Sequence, residues 1–580
     1  MSFEILQHDA GGRLGILYTR HGKVETPAIC PVINPNKLVV TPKEMFEMGV
    51  QIVMTNSYII YKDPELRDKT LRKGLHDFLD FKGPIVIDNG AYQWHVYGSI
   101  DVDALEMFNF QRSIRPDIGI LLDYPTSHDM SKEKATETIK VTLENARKCV
   151  PLISKEDGIL WTGVIQGGYF LDLVAKCAKE MSKLPLDLHA LGEPVQFLIE
   201  YDFKKVADML VVARANLRAD RPLHLFGAGL PWTLPFFVAM GADLFDSAAY
   251  ALYAKRRVYM TPAGNFTLDS LTELICECPV CTSYTLNELK KLEPELQEKL
   301  LAKHNLYVTI TEMRRIREYI RHNRLWELVH VRAHTHPQLL KALVYSLRKY
   351  RKYLEKRDLF TKRRAFFWLD DFCKYRPEIS RALSRVKKVF GSSTVPSGLR
   401  YTYPFYQFES YTDKLPFKLE RKKVNELEIV RTIADYQFKK KGIGEKIIPN
   451  GAEIAVSKKT GRIRSILYEE KLLFVLRAYD YILIPQIEGG KILKENIPFP
   501  RFRVIASKRG IKSIIERKCL PAKYIIGCDK ELVPGEQVLI VDETDDLIAV
   551  GELKFTPEEA VLATRGFPVK VRGIAEEETI

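Results

Sequence analysis

Short apolar runs recur along the first 250 residues of the chain, and polar residues stand at or directly after the end of most of them. The runs are PAICPVI, VQIVMTNS, PIVIDNG, DIGILLD, LWTGVIQGG, LHALG, PLHLFGAG and ADLFDS. The segments between them are long enough to hold a helix or an extended loop. Eight such units, from Thr26 to Ala249, predict a TIM-type (β/α)8 barrel and therefore an α/β fold.

The polar residues at the ends of these runs predict where the chemistry takes place. In a barrel of parallel strands, functional groups lie at the carboxyl ends of the strands. Those ends carry Asp88, Asp123, Gln166, Gly192, Gly227 and Asp246. An open, doubly wound sheet would also place its site at strand ends, but no GxGxxG phosphate loop follows the first strand.

The segment GADLFDSAAYALYAK, residues 241–255, places a carboxylate where a short strand ends and an alanine-rich helix begins. That carboxylate, Asp246, is well placed for catalysis. Capping the helix is the alternative role, and the neighbouring Ser247 could fill it equally well.

Two acids and an amide that meet at one mouth suit a sugar or a nucleobase. Paired carboxylates break glycosidic bonds, one as nucleophile or electrostatic stabiliser and the other as proton donor or acceptor. A third carboxylate can accept two N–H groups from a guanine edge, and the Gln166 amide can donate to a carbonyl oxygen or a ring nitrogen. Tyr92, four residues after Asp88, could stack on a base or belong to the core. Gln166 could equally be a turn residue before Gly167 and Gly168.

Three cysteines lie close together after the predicted barrel, at Cys276, Cys278 and Cys281, and His304 follows after 22 intervening residues. Three thiolates and one imidazole complete a tetrahedral zinc ion, so this spacing predicts one structural zinc per chain. Reduced core cysteines are the alternative, but they do not explain three thiols within six residues. Other histidines could supply the fourth ligand: His322, His330, His334 and His336.

The second half of the chain predicts smaller units. Residues 314–353 have a helical pattern, and the turn-rich stretch from Phe390 to Phe417 interrupts it. Strands such as EIAVS and IRSILYE predict an α+β unit, and KYIIG, EQVLIVDE, LIAVGELKF and FPVKVRG predict a small β-barrel or sandwich. We therefore predict a barrel domain at 1–345 that includes the zinc site, a basic helical domain at 346–423, an α+β domain at 424–503 and a β domain at 504–580.

The charge of the chain favours a nucleic-acid partner. The chain has 580 residues and a formal net charge of +14, and residues 341–388 hold sixteen Lys or Arg against five Asp or Glu. Aromatic residues interleave with these cations, which favours a surface that follows nucleic-acid phosphates. Amphipathic helices whose aromatic residues face a core are the alternative. An odd count of nine cysteines argues against a disulfide framework. The absence of a signal-like start or a long apolar run predicts a cytoplasmic protein with no membrane partner.

Several motifs together resemble one enzyme family. IDNGAYQ, LLDYPT, GVIQGG, LHLFGAG and DLFDSAAYALYAK, followed by CECPVC and KHNLYV, are similar to segments of tRNA-guanine transglycosylases, specifically the archaeal, archaeosine-type enzymes. The stretch PAKYIIGCDKELVPGEQVLIVDETDDLIAVGELKF, with GFPVKVRG after it, resembles a PUA domain, a small RNA-binding β-fold. The resemblance covers essentially the whole chain.

The resemblance implies a zinc-containing barrel enzyme that replaces guanine at position 15, in the D arm of tRNA, by 7-cyano-7-deazaguanine (preQ0). Asp246 takes the place of the nucleophile, and Asp88 takes that of its acid/base partner. The residues expected to bind the base are Tyr92, Asp123, Gln166, Gly167, Gly192 and Glu193. Pro194, which follows Glu193, has no N–H to offer a base carbonyl. The resemblance also implies a homodimer, with tRNA, guanine and preQ0 as the ligands.

Other functions stay open at this point. A non-catalytic tRNA-binding subunit of the same fold would have no need of three converging acids. The related archaeosine synthase, which modifies a nitrile already installed, is expected to lack the exchange carboxylates. A plain glycoside hydrolase would not explain the basic block or the PUA-like tail.

Overall fold

The structure, a computed structural model, describes residues 2–91, 102–363, 368–406 and 417–575. The chain divides into two compact units. The first comprises Met1–Glu4, Gly12–Ile320 and Leu328–Ser346, and the second comprises Ile5–Gly11, Arg321–Glu327 and Leu347–Ile580. Among the helices in these described ranges, none has the length and apolar character that crossing a membrane requires.

Eight parallel strands form the centre of the first unit. Three strands precede them, β1 (Phe3–Asp9), β2 (Gly12–Thr19) and β3 (Gly22–Thr26), of which β2 and β3 form an antiparallel hairpin. The eight are β4 (Ala28–Pro31), β5 (Val53–Asn56), β6 (Ile85–Asp88), β7 (Ile118–Ile120), β8 (Leu160–Ile165), β9 (Leu188–Leu191), β10 (Leu223–Leu225) and β11 (Leu244–Ser247).

The order of these strands makes a nearly closed barrel. It runs β4-β11-β10-β9-β8-β7-β6-β5, and each neighbouring pair is parallel. Val32, directly after β4, and Met54 of β5 form a further parallel bridge between the two outer strands. The predicted (β/α)8 barrel is therefore confirmed, and each of the eight apolar runs contains one of its strands.

Helices alternate with the barrel strands. They are α1 (Pro42–Glu47), α2 (Ser57–Lys62), α3 (Pro64–Lys73), α4 (Leu75–Leu79), α5 (Ala104–Ile114), α6 (Lys132–Cys149), α7 (Leu171–Met181), α8 (Val195–Ile199), α9 (Phe203–Asn216), α10 (Leu234–Ala239) and α11 (Ala249–Lys255). In α6, Ser131 accepts the N–H of Lys134, and the buried Ala135, Ile139 and Leu143 recur every four residues. A capped start and one apolar stripe thus define this helix and the face that it buries.

A hairpin and a series of helices follow the barrel. They comprise β12 (Val258–Thr261), β13 (Gly264–Thr267), α12 (Pro279–Ser283), α13 (Leu286–Lys291), α14 (Pro294–Arg321), α15 (Leu325–Ala333) and α16 (Pro337–Lys349). The helical pattern predicted for 314–353 is thus interrupted. Asn323 adopts a left-handed φ of 58°, which ends one helix, and Pro337 begins another at its first turn.

The described residues of the second unit form a two-stranded, a four-stranded and a five-stranded sheet. Its elements begin with α17 (Arg351–Arg357), α18 (Pro377–Phe390), β14 (Thr394–Val395), β15 (Lys418–Leu419), α19 (Glu426–Gln437) and α20 (Ile443–Ile447). An antiparallel sheet follows, with β16 (Glu453–Val456), β17 (Ile463–Tyr468), β18 (Lys471–Leu476) and β19 (Leu483–Pro485), and then α21 (Ile487–Asn496). The sequence predicted β16 and β17 and missed their two partners.

The last sheet has five strands in the order β21-β20-β22-β23-β24. Its elements are β20 (Arg503–Ala506), α22 (Lys508–Arg517), β21 (Ile525–Cys528), β22 (Gln537–Val541), β23 (Leu547–Leu553), α23 (Pro557–Leu562) and β24 (Val569–Ile574). Four of the strands correspond to predicted runs. The missed strand, β20, pairs parallel with β22 and antiparallel with β21, so it lies inside the sheet.

Part of the basic block, residues 341–388, is buried. Four of its cations are buried: Lys362, Arg376, Arg381 and Arg385. The Lys362 Nζ atom lies 2.7 Å from Asp9 Oδ1 and 3.2 Å from Asp358 Oδ1, and Arg376 pairs with Glu327 at 2.8 Å. The interpretation of the whole block as a phosphate-binding surface is therefore corrected. Ion pairs hold Lys362, Arg376 and Arg385 within the second unit, and backbone carbonyls hold Arg381.

Replacing Lys362 by methionine is expected to destabilise the second unit. The substitution leaves Asp9 and Asp358 buried without their shared cation, which costs about 3–5 kcal/mol for a buried pair. Urea unfolding of the full chain measures the effect. The matched control is Lys352→Met, because Lys352 is an exposed residue of α17, and its change should stay within about 0.5 kcal/mol. Equal unfolding midpoints for the two variants would contradict a stabilising role for the network.

Candidate active site at the carboxyl end of the barrel

A cavity of about 720 Å³ opens at the carboxyl ends of the barrel strands. Most of the residues that the sequence predicted for the site line it: Asp88, Asp123, Gln166, Gly192, Glu193 and Asp246. Gly167 does not line it, because its N–H donates to Thr126 Oγ1 at 3.3 Å within a buried turn. Tyr92 lies outside the described residues.

Asp246 lies on β11 with one carboxylate oxygen engaged. Its Oδ1 accepts the backbone N–H of Gly227 at 3.1 Å and lies 3.0 Å from His224 Nε2. Helix α11 begins three residues later, and there Ser247 Oγ accepts the N–H of Ala249 at 3.0 Å. The capping alternative therefore falls to Ser247, which leaves Asp246 facing the cavity.

Asp88 is the last residue of β6, and its surroundings favour the protonated form of its carboxyl group. The Asn56 side chain donates to Oδ2 at 2.8 Å, and Ser57 Oγ donates to the Asp88 carbonyl at 2.6 Å. Burial raises the pKa of Asp88 from 3.8 to about 7, and the negative charges of Asp123 and Asp246 add to that rise. Near neutral pH this carboxyl can therefore both give and take a proton.

Asp123 is held by two side-chain amides. Asn89 donates to Oδ1 at 2.8 Å, and Gln166 donates to Oδ2 at 2.6 Å. Burial raises the pKa of Asp123 to about 6 against these hydrogen bonds, and the charge of Glu193 raises it further. A carboxylate held in this way presents acceptor oxygens to a ligand that carries N–H groups.

The loop after β9 fits closely against Gln166. A Cβ atom on Gly192 would overlap the Gln166 amide nitrogen, so only glycine allows both residues to line the cavity. Glu193 adopts a left-handed φ of 64°, which is strained for a residue with a side chain. Pro194 then begins the short helix α8. The predicted binding loop is thus built around a glycine and an unusual backbone conformation.

Sequence reasoning missed three polar residues that contact the acids: Asn56, Asn89 and His224. Each of them had a signal. Asn56 and His224 are the polar members of the apolar strands VMTN and LHL, and Asn89 follows Asp88 directly. A polar side chain within a buried strand needs a partner, and here the partner is a carboxylate in the cavity.

Apolar and aromatic side chains form the rim of the cavity. Ile199 is 64% exposed, Leu252 is 56% exposed and Tyr201 is 40% exposed, and all three line the opening together with Arg256. Such a rim offers flat and apolar surface to whatever enters the polar floor. One cation stands among these groups, which suits an anionic ligand with planar parts.

A cluster of three thiols and one imidazole lies after β13. The possible ligand atoms of Cys276, Cys278, Cys281 and His304 all lie within 4.8 Å of one another. His304 Nδ1 is 3.5 Å from Cys278 Sγ and 3.4 Å from Cys281 Sγ, and its Nε2 lies 3.0 Å from the Met260 carbonyl. That carbonyl holds the ring so that Nδ1 faces the sulfur atoms. The four residues could therefore hold a metal ion.

Comparisons with known proteins assign this chain to a family. A family model described as queuine tRNA-ribosyltransferase matches residues 9–338, more than half of the chain. A tRNA-guanine(15) transglycosylase from Pyrococcus furiosus is 41% identical over 590 residues, which cover 100% of this chain and 98% of that protein. The chain belongs to the tRNA-guanine transglycosylase family. The resemblance predicted from the motifs is thereby confirmed.

The rest of the chain also matches this family. Residues 428–500 match the patch-forming domain C2 of tRNA-guanine transglycosylase, and residues 502–575 match a PUA domain. Proteins named tRNA-guanine(15) transglycosylase from Thermococcus kodakarensis and Methanocaldococcus jannaschii are 40% and 36% identical. The matches cover 98% and 99% of this chain, and the same shares of those proteins. Membership of the tRNA-guanine transglycosylase family therefore extends over the full length of the chain.

Asp88→Asn is expected to stabilise the folded chain at neutral and higher pH. Because the folded pKa of Asp88 is raised from 3.8 to about 7, its protonated form favours folding. That contribution is fully present below the unfolded pKa and is lost as the pH rises through about 7. Asparagine stays neutral, so the urea midpoint of the variant should rise relative to that of the wild type as the pH increases between the two pKa values, 3.8 and about 7. A midpoint difference that stays constant over this range would contradict the raised pKa.

Proposed function

We propose that this chain exchanges guanine at position 15, in the D arm of tRNA, for preQ0, as a step of archaeosine biosynthesis. One observation carries the proposal: three carboxylates face a single cavity, and each has a different polar environment. Separate environments give separate roles to chemically identical groups. The shared name of the relatives, tRNA-guanine(15) transglycosylase, supports the same reaction.

The proposed reaction has two displacements at C1′ of the ribose. A carboxylate oxygen of Asp246 attacks C1′, the C1′–N9 bond breaks, and its electron pair leaves with guanine, which takes a proton. The N9 atom of preQ0 then attacks C1′, the bond to Asp246 breaks, and the N9 proton is released. Asp88, whose pKa is about 7, gives the first proton and accepts the second. Two inversions retain the configuration of the ribose.

Base recognition falls to the groups around Asp123. We propose that its carboxylate accepts N–H groups from the guanine edge and that the Gln166 amide reaches the carbonyl side of the base. Gly192 and Glu193 would form the wall beside it, and Tyr92 would stack on its face. Gln166 donates to Asp123 at 2.6 Å, so the two residues already lie side by side. Gly167 would support this arrangement from its turn.

We further propose that the cluster of Cys276, Cys278, Cys281 and His304 holds one structural zinc ion. The donor set fits, because three thiols and an imidazole nitrogen complete the tetrahedral coordination that zinc prefers. Zinc there would tie the segment 276–281, which carries the cysteines, to helix α14, which carries His304. The ion would have no part in the exchange.

Binding of tRNA would use surfaces outside the barrel. We propose that the unit boundaries lie near residues 345, 423 and 503, that the PUA domain contacts RNA, and that the protein is a homodimer. Of the cations of the basic block that the structure describes, ten are exposed: Lys341, Arg348, Lys349, Arg351, Lys352, Lys356, Arg363, Lys374, Lys387 and Lys388. Contacts to phosphates could offset the cost of extracting a base, which is about a few kcal/mol.

Asp246→Ala is expected to abolish both release of labelled guanine from tRNA and formation of a trapped covalent tRNA adduct, with preQ0 supplied. The reason is that no other group would form the bond to C1′. Glu200→Ala is the control. Glu200 is an exposed acid at the end of helix α8, beside the cavity but not lining it, so its substitution should leave both signals intact.

Each other outcome selects another assignment. Full activity of Asp246→Ala would make Asp88 the candidate nucleophile. If wild type and variant bind tRNA and neither releases guanine, the chain is instead an archaeosine synthase-like paralogue or a non-catalytic tRNA-binding subunit.

Cys278→Ser is expected to lose zinc. Serine replaces one thiolate of the proposed site, so metal analysis of the purified protein should fall from one zinc per chain towards zero. The control is Cys149→Ser, because Cys149 is buried at the end of α6 and lies outside the cluster. Equal zinc content in wild type and Cys278→Ser, or another metal in its place, would refute the zinc assignment.

A further inference from the structure

His224 occupies a position in the barrel that the proposed reaction has not yet used. It lies on β10 opposite Leu244 of β11, and the two strands are parallel. Residues opposite each other share a face of the sheet, and so do residues two apart along one strand. His224 and Asp246 therefore point to the same side, with the imidazole one layer below the carboxylate.

The contact between His224 and Asp246 involves one carboxylate oxygen, Oδ1. His224 Nε2 lies 3.0 Å from Asp246 Oδ1, and the Gly227 N–H donates to the same atom at 3.1 Å. The imidazole is 2% exposed, and its ring packs edge-on against Phe226 at 4.9 Å, which fixes its plane. At this distance Nε2 makes no aligned hydrogen bond, and it has no other hydrogen-bond partner among the described residues.

The group opposite Asp246 on the other neighbouring strand is of a different kind. Cys30 of β4 pairs with Asp246 in register and is fully buried. Burial, with the charge of Asp246 added to it, raises the pKa of the Cys30 thiol well above its usual value. That thiol therefore stays neutral. The Gly227 N–H donates to Oδ1, and His224 Nε2 is the second nitrogen that the described residues place beside this oxygen.

We propose that His224 is a positioning residue for the nucleophile, which holds Oδ1 of Asp246 together with Gly227 so that Oδ2 is the oxygen that attacks C1′. This inference rests on the proposed function. When the C1′–Oδ2 bond forms, Oδ1 becomes the carbonyl oxygen of an ester. When the incoming base displaces Asp246, the electron pair of that bond returns to the carboxylate, and negative charge develops again on Oδ1. The Gly227 N–H, which is already aimed at Oδ1, stabilises this charge without reorganising, and the imidazole beside it can supply a second N–H.

Two substitutions of similar length separate donation from packing. Glutamine can place an N–H near the position of Nε2, whereas methionine fills the space without a donor. The measurement is single-turnover formation of the trapped tRNA adduct and its consumption by preQ0. We expect His224→Met to slow both steps by about 10²-fold, the typical loss of one donor, and His224→Gln to stay within about 10-fold of wild type. Affinity for tRNA should be unchanged.

His189→Met is the matched control. His189 is a buried histidine on the neighbouring strand β9, and burial together with the charges of Arg214 and Arg221 lowers its pKa to about 3. It does not line the cavity, so its replacement should leave the adduct rates unchanged. An equal loss for His189→Met and His224→Met would show a packing effect and overturn the proposal.

The remaining outcomes separate the two hypotheses. A wild-type rate for His224→Met overturns the role of His224 and leaves the proposed function standing. If the wild type itself forms no adduct and releases no guanine, the proposed function fails. If His224→Met does not fold, His224→Gln decides: a folded glutamine variant that loses more than about 10²-fold overturns the proposal, and one near the wild type supports donation at Oδ1.

Discussion

Repulsion between carboxylates at one end of the barrel is the constraint on which the site depends. Asp88, Asp123 and Asp246 face one cavity, and desolvation makes their charges costly. The barrel relieves this repulsion differently at each position, with Asn56 at Asp88, with Asn89 and Gln166 at Asp123, and with Gly227 and His224 at Asp246. The polar shell thus sets which acid carries a proton and which accepts hydrogen bonds from a base.

Much of the fold and of the site could be predicted from the sequence, because strand ends and cysteine spacing are local signals. The runs ending at Asp88 and Asp246 predicted both the barrel and its acids, and the thiol cluster was evident from spacing. His224 and Asn56 could not be assigned in the same way. Their partners lie on neighbouring strands, so only the register of the sheet shows which carboxylate each one contacts.

The basic block shows a second limit of sequence reasoning. In the sequence, an exposed lysine or arginine cannot be told apart from one in a buried ion pair. Only the long-range contacts of the folded chain distinguish them. Lys362 pairs with Asp9, which lies more than 350 residues earlier in the chain. Composition therefore overstated the surface available for phosphates, although ten of the cations in the described part of the block are exposed. The buried ones instead connect remote parts of the second unit.

The proton transfers proposed for Asp88 have a consequence for the stoichiometry of the exchange. If the proton given to the departing guanine is replaced by the one taken from the incoming base, the protein ends each cycle in the ionisation state in which it began. Both bases are neutral before and after. The overall conversion then consumes and releases no hydrogen ions, so its equilibrium constant does not depend on pH. Acidity would govern only how fast that equilibrium is reached.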